Sequence, residues 1–199
     1  MEVLLFERDY YNLRYNCSFY NVDQIPVEKR QHKFLGSVLL VSYFACMTAY
    51  CICLATMLTM STRDRASYKL MILLGFVHII GLQTSGLISG ILSIQGAVFC
   101  TNQLLIYVGG GVAVSTWMGS TMISLILGLN RCFELYDSTL AFKLFGNRRL
   151  WPWMITPVVY MLYVFVFTPP PIFNGIMVAA FFNPHYMYFE GLFKLIFNN

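Results

Sequence analysis

Charge is what this 199-residue sequence has least of. Asp, Glu, Lys and Arg make up 11% of it, against 58% hydrophobic residues. A soluble domain carries about 25% charged residues. The deficit leaves too little charge to cover a water-facing surface, and it also excludes a disordered chain, which needs the opposite balance. With a net charge of +4 and no basic run, no nucleic-acid partner is expected. Phosphate-loop, dinucleotide and zinc-protease patterns are absent. His32 and His185 have no matching cysteine or carboxylate cluster, so neither a metal nor a cofactor is expected.

What is present is four long apolar runs, residues 34–60, 70–94, 103–129 and 150–168. None contains Asp, Glu, Lys or Arg. An α-helix needs ~20 residues to cross ~30 Å of hydrocarbon, and each run supplies that length. The buried helices of a soluble bundle keep a charged stripe, which these lack. The expected fold is an all-α membrane protein with four transmembrane helices, preceded by a tail (1–33) and followed by a segment (169–199). An intramembrane enzyme or transporter would show paired charges inside its spans. None is there beyond His78, so no enzyme is expected.

The cations set the expected sidedness. Arg63, Arg65 and Lys69 lie in loop 61–69, and Arg131, Lys143, Arg148 and Arg149 lie in loop 130–149. Across the membrane stand Lys29, Arg30 and Lys33, while loop 95–102 has no charge at all. The positive-inside rule puts the two richer loops in the cytoplasm and both termini outside. Asn16-Cys17-Ser18 is an N-glycosylation acceptor, with Asn16 the modified residue, and it is useful only on that outer side. No cleavable signal peptide is visible at the start, so the first helix is expected to direct insertion.

Cys17 and Cys100 are the two of the six cysteines that fall on the predicted outer side, where disulfides persist. They are expected to pair. Gly86 and Gly90, beside Ser85, Ser89 and Ser93, make small-residue stripes suited to close helix packing. Gly109-Gly110-Gly111 would loosen the third helix or admit a neighbour. The third helix is the most polar span, with Thr116, Ser120 and Ser124 on one face, a face that must turn toward protein or a water-filled cavity. His78 is the one ionisable acid, base or imidazole side chain inside a span; it either serves function or bonds a polar group on another helix. Pro152 sits in the first turn of the fourth helix, Pro157 should kink it, and prolines 169–171 end it.

The segments YNCSFYNVDQIPVEKRQHKFLG, YKLMILLGFVHIIGL, ISGILSIQGAVFC and ILGLNRCFEL occur in that order, and FNPHYMYFE follows them (182–190). Together they resemble the nematode serpentine receptor class T (Srt) chemoreceptors, rhodopsin-like seven-helix receptors. The likeness runs from about Tyr15 to the end. It implies a chemosensory G-protein-coupled receptor in the plasma membrane of sensory cilia, with a small-molecule ligand. Thr116, Trp117, Ser120 and Ser124 are the pocket candidates. Cys100 matches the cysteine at the outer end of the third helix. Residues 169–199 hold no cysteine to meet it, which favours Cys17.

Asn130-Arg131-Cys132 stands where such receptors carry Asp/Glu-Arg-Tyr, the motif that meets the heterotrimeric G protein. Asn130 cannot supply the negative charge that pairs with the arginine. Only four of seven spans are present, and GLFKLIFNN (191–199) is too short to be a fifth. The expectation is an incomplete receptor that does not signal alone, retained in the endoplasmic reticulum if truncated. The alternative is a four-helix membrane protein that associates with other receptors.

Overall fold

The computed structural model describes residues 11, 15–18, 22, 26–59 and 65–184. Four helices within it are long and apolar enough to cross a membrane: α1 (Val27–Thr59), α2 (Ala66–Gln95), α3 (Gln103–Tyr136) and, after the short α4 (Ser138–Phe145), α5 (Leu150–Phe167). A hairpin of β1 (Ile172–Asn174) and β2 (Ala179–Phe181) follows, with Phe173 opposite Ala180. The tail residues 1–10, the loop residues 60–64 with Arg63, and residues 185–199 with His185 and Lys194 lie outside the described residues.

The helices overrun the charge-free windows. α2 begins at Ala66 rather than residue 70, and α3 continues to Tyr136 rather than 129. Absence of charge marks the hydrocarbon slab, whereas backbone hydrogen bonding carries a helix on into water. α4 arises inside the predicted loop 130–149. Asp137 caps it by accepting from the Thr139 backbone N–H at 2.8 Å, a standard helix start.

α3 is central, packing on α2 along one side and on α5 along another, while α1 packs on α2. Lipid-facing positions are correspondingly bare: Phe34 is 80% exposed and Val41 69%. A water-soluble protein does not expose such a surface. Between helices, close backbone approach replaces hydrophobic drive. A Cβ added at Gly90 would stand 2.9 Å from Leu40 Cγ and 3.3 Å from the Gly36 carbonyl, so α1 and α2 meet at a glycine pair. Gly86 faces Tyr43. The serines beside them are occupied locally, Ser85 with Gly81 O and Ser93 with Ser89 O. Ser89 reaches back five residues to Thr84 O, at the edge of a π-helical stretch, Gln83–Ile88. α5 runs on through Pro157, which is buried against its neighbours.

Two apolar clusters hold the bundle at opposite ends. One gathers Tyr15, Leu92, Phe99, Ile106, Tyr107, Ile172 and Phe173. The other gathers Leu70, Ile126, Phe145 and Leu150. The first is the disulfide end and the second the basic end, since Arg131, Lys143, Arg148 and Arg149 stand there.

Candidate functional site

The disulfide end is built from three separate pieces of chain. Cys17 and Cys100 are joined, with Cα atoms 5.7 Å apart and 83 residues between them in sequence. The bond draws Tyr15 onto the top of α3, where its ring stands edge-on to Tyr107 at 5.2 Å. Tyr11 stacks on Tyr15 at 4.9 Å. Burial pushes the Tyr11 phenol above its ordinary pKa. Asn16 is partly exposed, and its side-chain oxygen accepts from the Ser18 backbone N–H at 2.9 Å. His32 ties the same end together. Its backbone N–H donates to Ser93 O, and its ring Nε2 lies 2.9 Å from Ile176 O in the hairpin turn. Gly110 lets the hairpin settle on α3, because any Cβ there would overlap the Pro171 carbonyl.

Toward the middle of the bundle, α1, α2 and α3 enclose a groove of about 420 Å³. Its polar wall comprises Tyr50, His78, Ser85, Thr116 and Ser120, with Trp117 beside them. Thr116 and Ser120 donate to their own helix, at Val112 O (2.8 Å) and Trp117 O (2.8 Å). That leaves the oxygen lone pairs as acceptors. Gly81 brings α2 so near that an added Cβ would lie 3.2 Å from Thr116 Oγ1. Of the four pocket candidates, Thr116, Trp117 and Ser120 line this groove. Ser124 is exposed and does not, because one further turn carries it away from α2.

His78 is part of the same wall. Its Nδ1 stands 2.9 Å from Tyr50 Oη, with the rings edge-on at 5.6 Å. Its Nε2 has no hydrogen-bond partner among the described residues. A polar group in hydrocarbon is costly unless bonded, so this pair is a fixed polar point in an otherwise apolar wall. Tyr50 is not singled out by the sequence, since a tyrosine in an apolar run looks like ordinary filling. A second cavity of about 250 Å³ lies nearer the disulfide end, between α2, α3 and the hairpin, and Ser85 and Ala113 border both.

At the basic end, the Asn130-Arg131-Cys132 triplet is divided by the helix turn. Asn130 is buried, Arg131 and Cys132 are exposed, and the Cys132 thiol is free. Asn130 Nδ2 donates to Ser67 Oγ of α2 (2.8 Å) and to Glu134 Oε1 (3.0 Å), while Ser67 Oγ donates to the same Glu134 oxygen (2.9 Å). The other Glu134 oxygen meets Arg131 Nη1 at 3.4 Å. The carboxylate that stands against Arg131 is thus that of Glu134, one turn later. Spacing alone could have pointed to it, because i+3 and i+4 neighbours share a helix face. Asn130 Oδ1 is buried with no partner among the described residues. No group of three or more potential metal ligands occurs among the described residues.

The chain matches the model of the serpentine type 7TM GPCR chemoreceptor Srt over residues 3–199. It is similar to serpentine receptor class T-55 of Caenorhabditis elegans, 21% identical over 117 residues. That stretch is 59% of this chain and 32% of the relative, so the chain spans about a third of the length of the curated protein it matches. No solved structure matches it.

Proposed function

Because the chain belongs to the serpentine 7TM chemoreceptor family Srt, we propose that its groove is the wall of a small-molecule site in a chemosensory G-protein-coupled receptor. The observation that carries this reading is the Tyr50–His78 pair, set opposite Thr116 in an apolar cleft between three spans. Such a cleft suits a small, mostly apolar molecule with one hydrogen-bonding group. A ligand wedged there touches α1, α2 and α3 together, and it can bias any equilibrium in which those helices shift relative to one another.

The disulfide end faces outside and the basic end faces the cytoplasm. The cation distribution supports this, as does the acceptor Asn16, which awaits glycan on the outer side. Arg131, beside Asn130 and Cys132, is then the group presented to a heterotrimeric G protein. The plasma membrane of sensory cilia is the working location. One observation favours association with further helices. Beyond the groove, Ser124, Leu125 (66% exposed) and Gly128 are exposed along α3, and an added Cβ at Gly128 would meet nothing within 4 Å. Additional spans of the same receptor, or of a partner receptor, would cover them.

The test is a thermal-shift screen of the purified chain in detergent against small alcohols, ketones and amines. Compounds that stabilise the parent should fail with His78→Phe and Thr116→Val together. A Ser120→Cys variant should be alkylated from the groove and protected by the same compounds. If no compound shifts the parent, or if the double variant responds equally, the groove is not the site.

A further inference from the structure

Where α4 ends and α5 begins, the chain forms a concave site of about 430 Å³ lined by Phe142, Lys143, Gly146, Arg148 and Arg149. Three of these five are cations, all exposed, and no carboxylate among the described residues lines the site. Like charges brought together gain nothing from one another, so the cluster is complementary to an anion. Arg149 is held in place, its Nη1 donating to the Lys143 carbonyl at 2.6 Å. That contact caps the last turn of α4 and keeps the guanidinium beside Lys143.

The surroundings are aromatic as well as cationic. Phe142 is 73% exposed and Trp151 63%. Trp153 packs on Phe145 at 5.1 Å and donates its indole N–H to Leu144 O at 3.2 Å. Tryptophans at the end of a span mark the headgroup level of a bilayer. A site at that depth opens on one side to phosphates and on the other to acyl chains. Its occupant must therefore be both anionic and amphipathic.

We propose that this groove is a binding site for an anionic phospholipid of the leaflet at the basic end. Lys143 and Arg148 take the headgroup phosphate, Arg149 orients against it, and Phe142 lies along the acyl chain. Clustered Lys and Arg beside a span attract acidic lipid in this way. The inference does not depend on the ligand groove, nor on which way the chain threads the membrane.

The test uses nanodiscs with the same composition in both leaflets. A Trp117→Phe background leaves Trp151 and Trp153 as the only fluorophores of their kind, since the chain has three tryptophans. Brominated phosphatidylserine, diluted into plain phosphatidylcholine, should quench them at a mole fraction where brominated phosphatidylcholine barely does. Lys143→Gln with Arg148→Gln should weaken that enrichment about 25-fold, at about fivefold per cation. Lys143→Arg should restore most of it. Circular dichroism and melting temperature show whether the double variant remains folded; Lys143→Gln alone serves as the milder variant if it does not. Equal quenching by the two lipids, or no change in a folded variant, overturns the proposal. So does displacement of the lipid by inorganic phosphate at ordinary ionic strength, which would make the site one for a soluble anion.

Discussion

Asn130 donates its side-chain amide to Ser67 Oγ over 2.8 Å, and α3 is thereby fastened to α2 at the basic end. Glu134 accepts from both, so one carboxylate oxygen closes a three-residue ring. The other oxygen holds Arg131. That restraint comes from the C-terminal side of the arginine, and it is coupled to the contact between two helices.

Asn130→Asp should therefore destabilise the bundle, although it sets a carboxylate directly before the arginine. Two carboxylates would then face one serine hydroxyl and one another. Melting of the detergent-solubilised chain should fall at neutral pH and recover as the pH drops and the pair takes up a proton. Asn130→Ala should cost about 1–3 kcal/mol at all pH values in that range. A neutral-pH melting point for Asn130→Asp above that of the parent would show that Arg131 is paired from the other side.

Gly109 and Gly110 are adjacent in sequence and should respond in opposite ways. Gly110→Ala drives a methyl into the Pro171 carbonyl and should cost about 1–3 kcal/mol by forcing the hairpin off α3. Gly109 has nothing within 4 Å of an added Cβ. Gly109→Ala should be neutral or stabilising by up to ~1 kcal/mol, through helix propensity. Paired melting curves check the contrast.

Breaking the Cys17–Cys100 bond with Cys17→Ser should release Tyr11 and Tyr15 from Tyr107. The expected loss is about 2–4 kcal/mol. Intact mass under non-reducing conditions, with and without alkylation, reports whether the parent carries the bond. Limited proteolysis then reports whether the tail of the variant has come free.

Two groups outside the spans set the pH limits of local order. The Thr139 hydroxyl and backbone N–H hold the Asp137 carboxyl below its usual value. Its contribution to the start of α4 is present above the unfolded pKa and is lost as pH falls through the lower folded one. Protection factors of α4 amides, corrected for the intrinsic pH dependence of exchange, should therefore fall at acid pH in the parent, and Asp137→Asn should remove that fall. Tyr11 is displaced the other way. Its support of the tail is complete below the ordinary phenol pKa and fades as pH rises through the raised value, a change absent in Tyr11→Phe.

The four spans could be read from the sequence because lipid imposes one simple rule, a window free of charge. Thr116, Trp117 and Ser120 were legible for a related reason, since hydroxyls at helical spacing in an apolar run must face something. Ser124 obeyed the same periodicity yet points elsewhere. A 3.6-residue turn drifts over two turns, so by Ser124 the hydroxyl has rotated off the face that lines the groove. Tyr50 and Ser67 were not legible, because each becomes notable only through a partner on another helix, whereas Glu134 was within reach of the i+3 and i+4 spacing rule. α4 was hidden inside a charged stretch. Its signals, Asp137 as a cap followed by Leu140, Ala141, Leu144 and Phe145 on one side, are local and easily lost in a search for spans.

The Cys17–Cys100 link also changes what a cut in the chain would do. It closes a covalent ring that contains the whole of α1 and α2. A protease entering between those helices would open the ring without releasing either piece. The nicked molecule would migrate as a single species on a gel until a reductant was added, and α1 would remain leashed to the top of α3 after its peptide connection had gone.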